Sequence, residues 1–288
     1  MDFHHPLFQS LALPLVLAFV ATGVLRALLG PGAGARWAAL GVPVALLVAA
    51  SWVLGWRLAP GGLTEKLPWV YLAATVLGVV LEATRADRRA QWLAAGLLWA
   101  VVIVALGQQP WLPRVGSWLV GMAVIGAVIY EVPSRADVAA MLVVAGLGLA
   151  VVAMMSGSAL LFELSLGLAA AVAGAALWLW PVSRISFGAS GSLAAVMAWL
   201  SLAQGTALLT SVRPGAVLLL AASFSACAFV RVLRQRLRRG EGRPWAEALV
   251  VAAVAAVWVT AALAIAQWAG PPRSGGKAAD NPYYTPKW

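Results

Sequence analysis

Histidine, cysteine and acidic residues are scarce in this chain of 288 residues, and their scarcity excludes several kinds of chemistry. The two histidines, His4 and His5, are adjacent and precede the first apolar run, so no predicted membrane helix offers a histidine ligand for haem. The single cysteine, Cys227, excludes an intrachain disulfide and a cysteine metal cluster. The aspartates are isolated, and no H-E-x-x-H zinc motif occurs. We therefore expect no cofactor, no metal ion and no catalytic residue.

Charge is also scarce. Only 10% of the residues are charged, whereas 62% are hydrophobic and the mean hydropathy is +0.90. Soluble domains are about 25% charged and about 45–50% apolar. The composition therefore predicts an all-α integral membrane protein, a polytopic bundle of transmembrane helices. The net charge of +10 comes from arginines between apolar runs, so we expect contacts with membrane lipids and not with nucleic acid.

Apolar runs long enough to cross a bilayer recur along the whole chain, because a spanning helix needs about 20 predominantly apolar residues. We predict ten such spans, which form a single bundle over residues 1–269 and leave 270–288 as a flexible tail outside the membrane. The first span is expected to remain uncleaved. The predicted spans are 8–29, 37–56, 67–83, 91–107, 115–132, 136–155, 160–180, 189–209, 215–232 and 245–268.

An arginine cluster between the last two spans predicts the orientation of the bundle. Six of the thirteen residues in 231–243 are arginine, and loops rich in Lys and Arg stay on the cytoplasmic side. Alternating spans then place thirteen of the 20 basic residues on that side and seven on the other. We predict a bacterial-type inner-membrane protein with both termini in the periplasm.

A few polar residues and prolines inside the spans are the candidate site. Glu163 is an acid inside a span without a nearby basic residue, and Gln204 with Ser201 is expected at a similar depth in the eighth span. We predict that these side chains line one polar cavity. Pro14 and Pro43 interrupt the first two spans, where a proline frees backbone carbonyls for a ligand or forms a packing kink.

Other charged residues are interpreted as structural. Spacing along the chain predicts that Glu82 pairs with Arg85, Glu131 with Arg135, and Glu247 with Arg243. The segment 183–192 is interpreted as a capped turn, with an anion site at the start of the eighth span as the alternative. Small residues four apart, such as Gly167 and Ala171, Ala170 and Gly174, and Ser51 and Gly55, predict close helix packing.

The sequence predicts no specific activity, and three functions stay open. The leading interpretation is a permease for a small neutral or amphipathic solute. The alternative is a non-catalytic membrane subunit or scaffold, with a membrane-protein partner or a homo-oligomer. A lipid-modifying membrane enzyme comes third. A mid-membrane polar cavity would favour transport, whereas a solid core would favour a subunit.

Overall fold

The computed structural model describes residues 8–107, 110–133, 135–236 and 244–268, and these residues form helices and short connections without a strand. Ten helices are long and apolar enough to cross a membrane, which confirms the polytopic all-α prediction. The predicted tail, 270–288, lies outside the described residues. The helices are α1 Phe8–Leu28, α2 Gly30–Leu54, α3 Thr64–Ala83, α4 Arg88–Leu106, α5 Trp111–Ile129, α6 Asp137–Met155, α7 Ala159–Ala176, α8 Ala189–Leu209, α9 Pro214–Arg236 and α10 Trp245–Trp268.

Pro14 and Pro43 lie near the starts of α-helical segments within α1 and α2. Helix α1 opens with a π-helical turn, Phe8–Ala12, and Pro14 is the second residue of the α-helical segment that follows. A 3₁₀ turn, Ala38–Leu40, precedes the α-helical segment in which Pro43 is the third residue. Each proline therefore lies inside a predicted span, just after a turn that departs from α-helical geometry, which agrees with the predicted interruption of these spans. Both prolines are buried in the core, and their contact with a ligand stays a prediction.

Helix α8 is the centre of the bundle. Every residue from 189 to 206 is buried, and α8 packs most extensively against α3. The two helices approach closely because Gly78 of α3 has no Cβ, which would lie only 2.7 Å from the backbone oxygen of Ala189. Helices α2, α4, α5, α6 and α7 also contact α8. A polar side chain on any face of α8 therefore points into protein.

Small residues set the other close contacts. Helix α7 packs against α1 through Gly167, which lies against Pro14, and Gly174, where a Cβ would overlap the backbone oxygen of Leu15. This confirms the predicted small-residue face of α7. Gly55 instead ends its helix at a φ of +72° with open space around it, so Ser51 and Gly55 do not form a packing pair.

The helix contacts do not follow an inverted five-plus-five repeat. Helix α1 packs extensively on α7, and α6 packs extensively on α10. In an inverted repeat, α1–α5 would correspond to α6–α10 in order. The contact between α1 and α7 would then require one between α6 and α2, and the contact between α6 and α10 would require one between α1 and α5. In the described part of the chain, those pairs share at most a marginal contact.

From α1–α2 to α7–α8, every second connection along the chain lies at the same end of the bundle, which we call the arginine-rich end. The backbone N–H of Ser186 donates to Ala35 over 2.7 Å, and that of Phe187 donates to Pro133 over 2.7 Å. Arg88 donates to the Tyr130 carbonyl over 2.7 Å. These bonds join the connections α1–α2, α3–α4, α5–α6 and α7–α8, as ten full crossings require.

Candidate functional site

Glu163 faces a very small internal cavity near the opposite end of the bundle. The half-buried carboxylate lines it together with Ser10 of α1, Tyr71 of α3 and Gly167 of α7. The cavity has a volume of about 10 Å³, which is room for at most one water molecule. Within the described ranges Glu163 forms no ion pair.

Ser201 and Gln204 do not complete that cavity. Ser201 is fully buried, interacts with Tyr71 and donates a hydrogen bond to the Ala198 carbonyl over 2.9 Å. Gln204 lines a separate groove, so the predicted single polar cavity with Glu163 was wrong. The reason is the central position of α8. A rotation of about 60° between residues three apart is enough to change which neighbouring helix a side chain faces.

A groove of about 330 Å³ lies between α4, α5, α8 and α9, and we call it the Gln204 groove. Its exposed surface is mainly apolar. Two tryptophans form its floor, and helices α5 and α9 form its sides. The residues that define it are Trp99, Ser117, Trp199, Gln204, Leu218 and Ala221.

The two tryptophans of the groove are held by hydrogen bonds to backbone carbonyls of neighbouring helices. The indole N–H of Trp99 donates to Ser117 O over 3.1 Å, and that of Trp199 donates to Ala145 O over 3.0 Å. Trp199 also packs edge-on against Phe224, with the ring centroids 4.7 Å apart. The polar atoms of both indoles are thus satisfied, and their rings offer apolar surface.

The Gln204 carboxamide is the polar group of the groove that has no partner. The residue is only 7% exposed, yet its side chain makes no hydrogen bond within the described residues. A carboxamide offers two donors and an acceptor oxygen, and a buried polar group without partners costs free energy. Gln204 lies five residues before the end of α8, a helix long and apolar enough to cross a membrane. The groove can therefore bind a molecule with an apolar body and a neutral polar group.

The start of α8 is occupied by a side chain of the protein. Glu82 of α3 places its carboxylate at this helix start, where Ser190 N–H donates to it over 3.5 Å. Gly188 lacks the Cβ that would overlap that carboxylate. Arg36 of α2 pairs with Glu82 over 2.9 Å. The capped turn predicted for 183–192 is therefore present, and the alternative of an external anion at this helix start was wrong.

The ion pairs of Glu82, Glu131 and Glu247 join distant parts of the chain, whereas the sequence predicted pairs between neighbours. Glu82 pairs with Arg36 instead of Arg85, and Glu131 pairs with Arg231 over 2.6 Å instead of Arg135. Glu247 of α10 contacts Arg135 and Arg234. Arg243, its predicted partner, lies outside the described residues. Spacing along the chain did not predict these pairs. In the folded protein Glu82 and Glu131 each lie nearer to an arginine from a distant part of the chain than to the arginine one helical turn away.

A second cavity of about 330 Å³ lies among these charged groups, between the end of α5, the start of α6, the end of α9 and the start of α10. One signal of this cavity is visible in the sequence, namely the alternation of acids and arginines near three span ends. The sequence did not show that those ends converge.

No protein-family model matches the chain, and no curated protein is significantly similar to it.

Proposed function

We propose that this multi-pass membrane protein is a permease for a small neutral or amphipathic solute in a bacterial-type inner membrane, with the arginine-rich end in the cytoplasm. The observation that carries the proposal is the carboxamide of Gln204, which makes no hydrogen bond within the described residues and lies in a mainly apolar groove. Such a site matches a molecule with an apolar body and a hydroxyl, amide or ester group.

The charge of the groove supports a neutral solute. Among the described residues, no ionisable side chain lines the Gln204 groove. A charged group placed there would lose its hydration without gaining a counter-ion, at a cost of several kcal/mol. A neutral polar group needs only the two donors and the acceptor of the carboxamide. The Gln204 groove should therefore bind neutral molecules in preference to ions.

Helix α9 supports movement around this site. A 3₁₀ turn, Ser223–Ser225, divides it into an outer segment that lines the groove and an inner segment that carries Arg231. The hydroxyl of Ser223 donates to the Leu220 carbonyl over 2.6 Å, a bond within the helix that favours bending. A 3₁₀ stretch inside a helix often marks a hinge. A bend there would open or close the groove while the inner segment keeps its ion pairs.

The test is to purify the protein from native membranes and identify its bound small molecules by mass spectrometry. The wild type should carry a neutral or amphipathic molecule, and Gln204→Leu should lose most of it because the leucine cannot hydrogen-bond. Gln267→Leu is the matched control, because Gln267 is exposed near the end of α10. Equal retention by all three proteins would contradict the proposed site.

A second candidate is a non-catalytic membrane subunit, and the solid core favours it. The cavity at Glu163 holds one water at most, and eighteen consecutive residues of α8 are buried. The partner would be another membrane protein or a second copy of this chain. The same mild-detergent preparation tests this, because a subunit should elute with a partner in fixed stoichiometry and a permease of this kind should elute without one.

A further inference from the structure

We infer a second binding site, in the charged cavity at the arginine-rich end, for a zwitterion that carries a primary ammonium and a phosphate. Two sources supply this chemistry: the headgroup of phosphatidylethanolamine and soluble glycerophosphoethanolamine. The inference does not depend on the Gln204 groove, which lies at the other end of the bundle. The side chains that carry it are Glu131, Arg135, Asp137, Arg231, Arg234 and Glu247.

Two buried polar atoms of opposite character are unpartnered at this cavity. Asp137 is 8% exposed, and its Oδ1 accepts no hydrogen bond. The Nε of Arg135 is also buried and donates none, although it lies 2.9 Å from Asp137 Oδ2. That distance is short enough for an ion pair, but the N–H is not directed at the oxygen. The site therefore lacks one donor for a carboxylate and one acceptor for a guanidinium.

A zwitterion supplies both missing groups at once. A primary ammonium has three N–H donors for the carboxylate of Asp137, and a phosphate has oxygens that can accept from the guanidinium of Arg135. The described side chains at the cavity comprise three carboxylates and three guanidiniums, so a ligand without net charge preserves the balance. An anion would bring its charge close to Glu131, Asp137 and Glu247.

Exposure sets the orientation of the ligand. The side chains of Asp137 and Glu247 are 11% and 4% exposed, whereas those of Arg231 and Arg135 are 53% and 31% exposed. The carboxylates thus form the deep part of the cavity and the arginines its more accessible part. We expect the ammonium to lie deep and the phosphate to lie towards the arginines. The cavity is half open, which suits a headgroup whose acyl chains stay in the bilayer.

The test measures thermal unfolding of the purified full chain in detergent with added lipids of matched acyl chains. The series is phosphatidylethanolamine, its N-monomethyl and N,N-dimethyl forms, phosphatidylcholine and phosphatidylglycerol. Bound ligand raises the melting temperature by mass action. We expect the rise to be largest with phosphatidylethanolamine, to fall with each added methyl group, and to be small with phosphatidylcholine and phosphatidylglycerol. This series uses the wild type alone, so it does not depend on a variant that folds.

The variant Asp137→Asn then tests the deep contact. It keeps the size of the side chain but removes the charge that holds the ammonium, so the preference for phosphatidylethanolamine over phosphatidylcholine should fall several-fold. The matched control is Glu65→Gln at the opposite end of the bundle, where Glu65 pairs with Arg57 over 2.8 Å. This control should keep the wild-type preference.

Soluble glycerophosphoethanolamine distinguishes the two sources. A rise in melting temperature at millimolar concentration, lost in Asp137→Asn, would identify a free zwitterion as a sufficient ligand. A rise with the lipid alone would identify the headgroup together with its chains. Equal effects of phosphatidylethanolamine and phosphatidylcholine, or a larger effect of phosphatidylglycerol, would overturn the inference. No effect of any of these compounds would overturn it as well.

Discussion

At the scale of single residues, hydroxyl groups in this bundle are commonly satisfied by the backbone of their own helix. Ser51 donates to Leu47 O over 2.6 Å, and Thr206 donates to Leu202 O over 2.9 Å. In the lipid phase, a polar side chain needs such an internal partner. The side chains of Gln204 and Asp137 instead line cavities. This difference is the reason why we propose ligand sites at these two residues.

The sequence identified some of these residues but not their surroundings. Gln204 and Glu163 are recognisable because a polar residue inside an apolar run is costly wherever it lies, and this cost depends on local sequence alone. The partners depend on which helices meet. For this reason the sequence could not separate Gln204 from Glu163, or assign Arg36 to Glu82.

A residue-scale prediction concerns Glu82, which pairs with Arg36 and accepts from the start of α8. Glu82→Ala should lower the free energy of unfolding by about 2–3 kcal/mol, because it leaves a half-buried guanidinium and a helix N-terminus without their acceptor. The measurement is unfolding in mixed detergent and SDS micelles. The control Glu65→Ala removes a partly exposed carboxylate that pairs with Arg57 and accepts from the backbone N–H groups of Gly61 and Gly62. It should cost clearly less than Glu82→Ala because water can replace these contacts. Similar losses for both variants would refute the capping role.

At the scale of the helix, length and hydropathy were enough to find all ten spans, because both are local properties. The exceptions have physical causes. The seventh span was predicted to end at 180, but α7 ends at Ala176, ahead of Pro181, which cannot continue a helix. The π-helical and 3₁₀ turns before Pro14 and Pro43 are set by packing, so the sequence showed only the prolines.

An element-scale prediction concerns the contact between α7 and α1. Gly174→Ala should lower the free energy of unfolding by about 1–3 kcal/mol, because the added methyl group overlaps the backbone of α1 at Leu15. Gly116→Ala in α5 is the control, since nothing lies within 4 Å of its added Cβ, and it should raise stability by about 0.5–1 kcal/mol because alanine favours the helix more than glycine does. The same unfolding measurement serves both. Equal tolerance of both changes would show that α1 and α7 are not closely packed.

At the scale of the whole molecule, the distribution of arginine orients the bundle. The connections that carry Arg36, Arg88 and Arg135 belong to one end, and Arg231 reaches the same end from α9. This agrees with the alternation that the sequence predicted. The side of the membrane on which this end lies rests on the positive-inside rule alone.

A topology measurement tests the orientation. An enzyme reporter that is active only in the periplasm should be active when fused after Trp288 and inactive when fused at Gly240. The reason is that the arginine cluster resists translocation across the membrane. Activity at Gly240 without activity after Trp288 would reverse the orientation and place the Gln204 groove nearer the cytoplasmic surface.

The central claim is that the Gln204 groove binds an amphipathic molecule, and photo-crosslinking tests it most directly. A monoacylglycerol with a diazirine in its acyl chain would be bound in membranes and activated, and the labelled peptides mapped by mass spectrometry. We predict adducts concentrated in 113–120, 199–207 and 214–221, the groove segments of α5, α8 and α9, and a strong reduction in Gln204→Leu but not in Gln267→Leu. Adducts spread over all lipid-facing helices, and unchanged by Gln204→Leu, would contradict the claim.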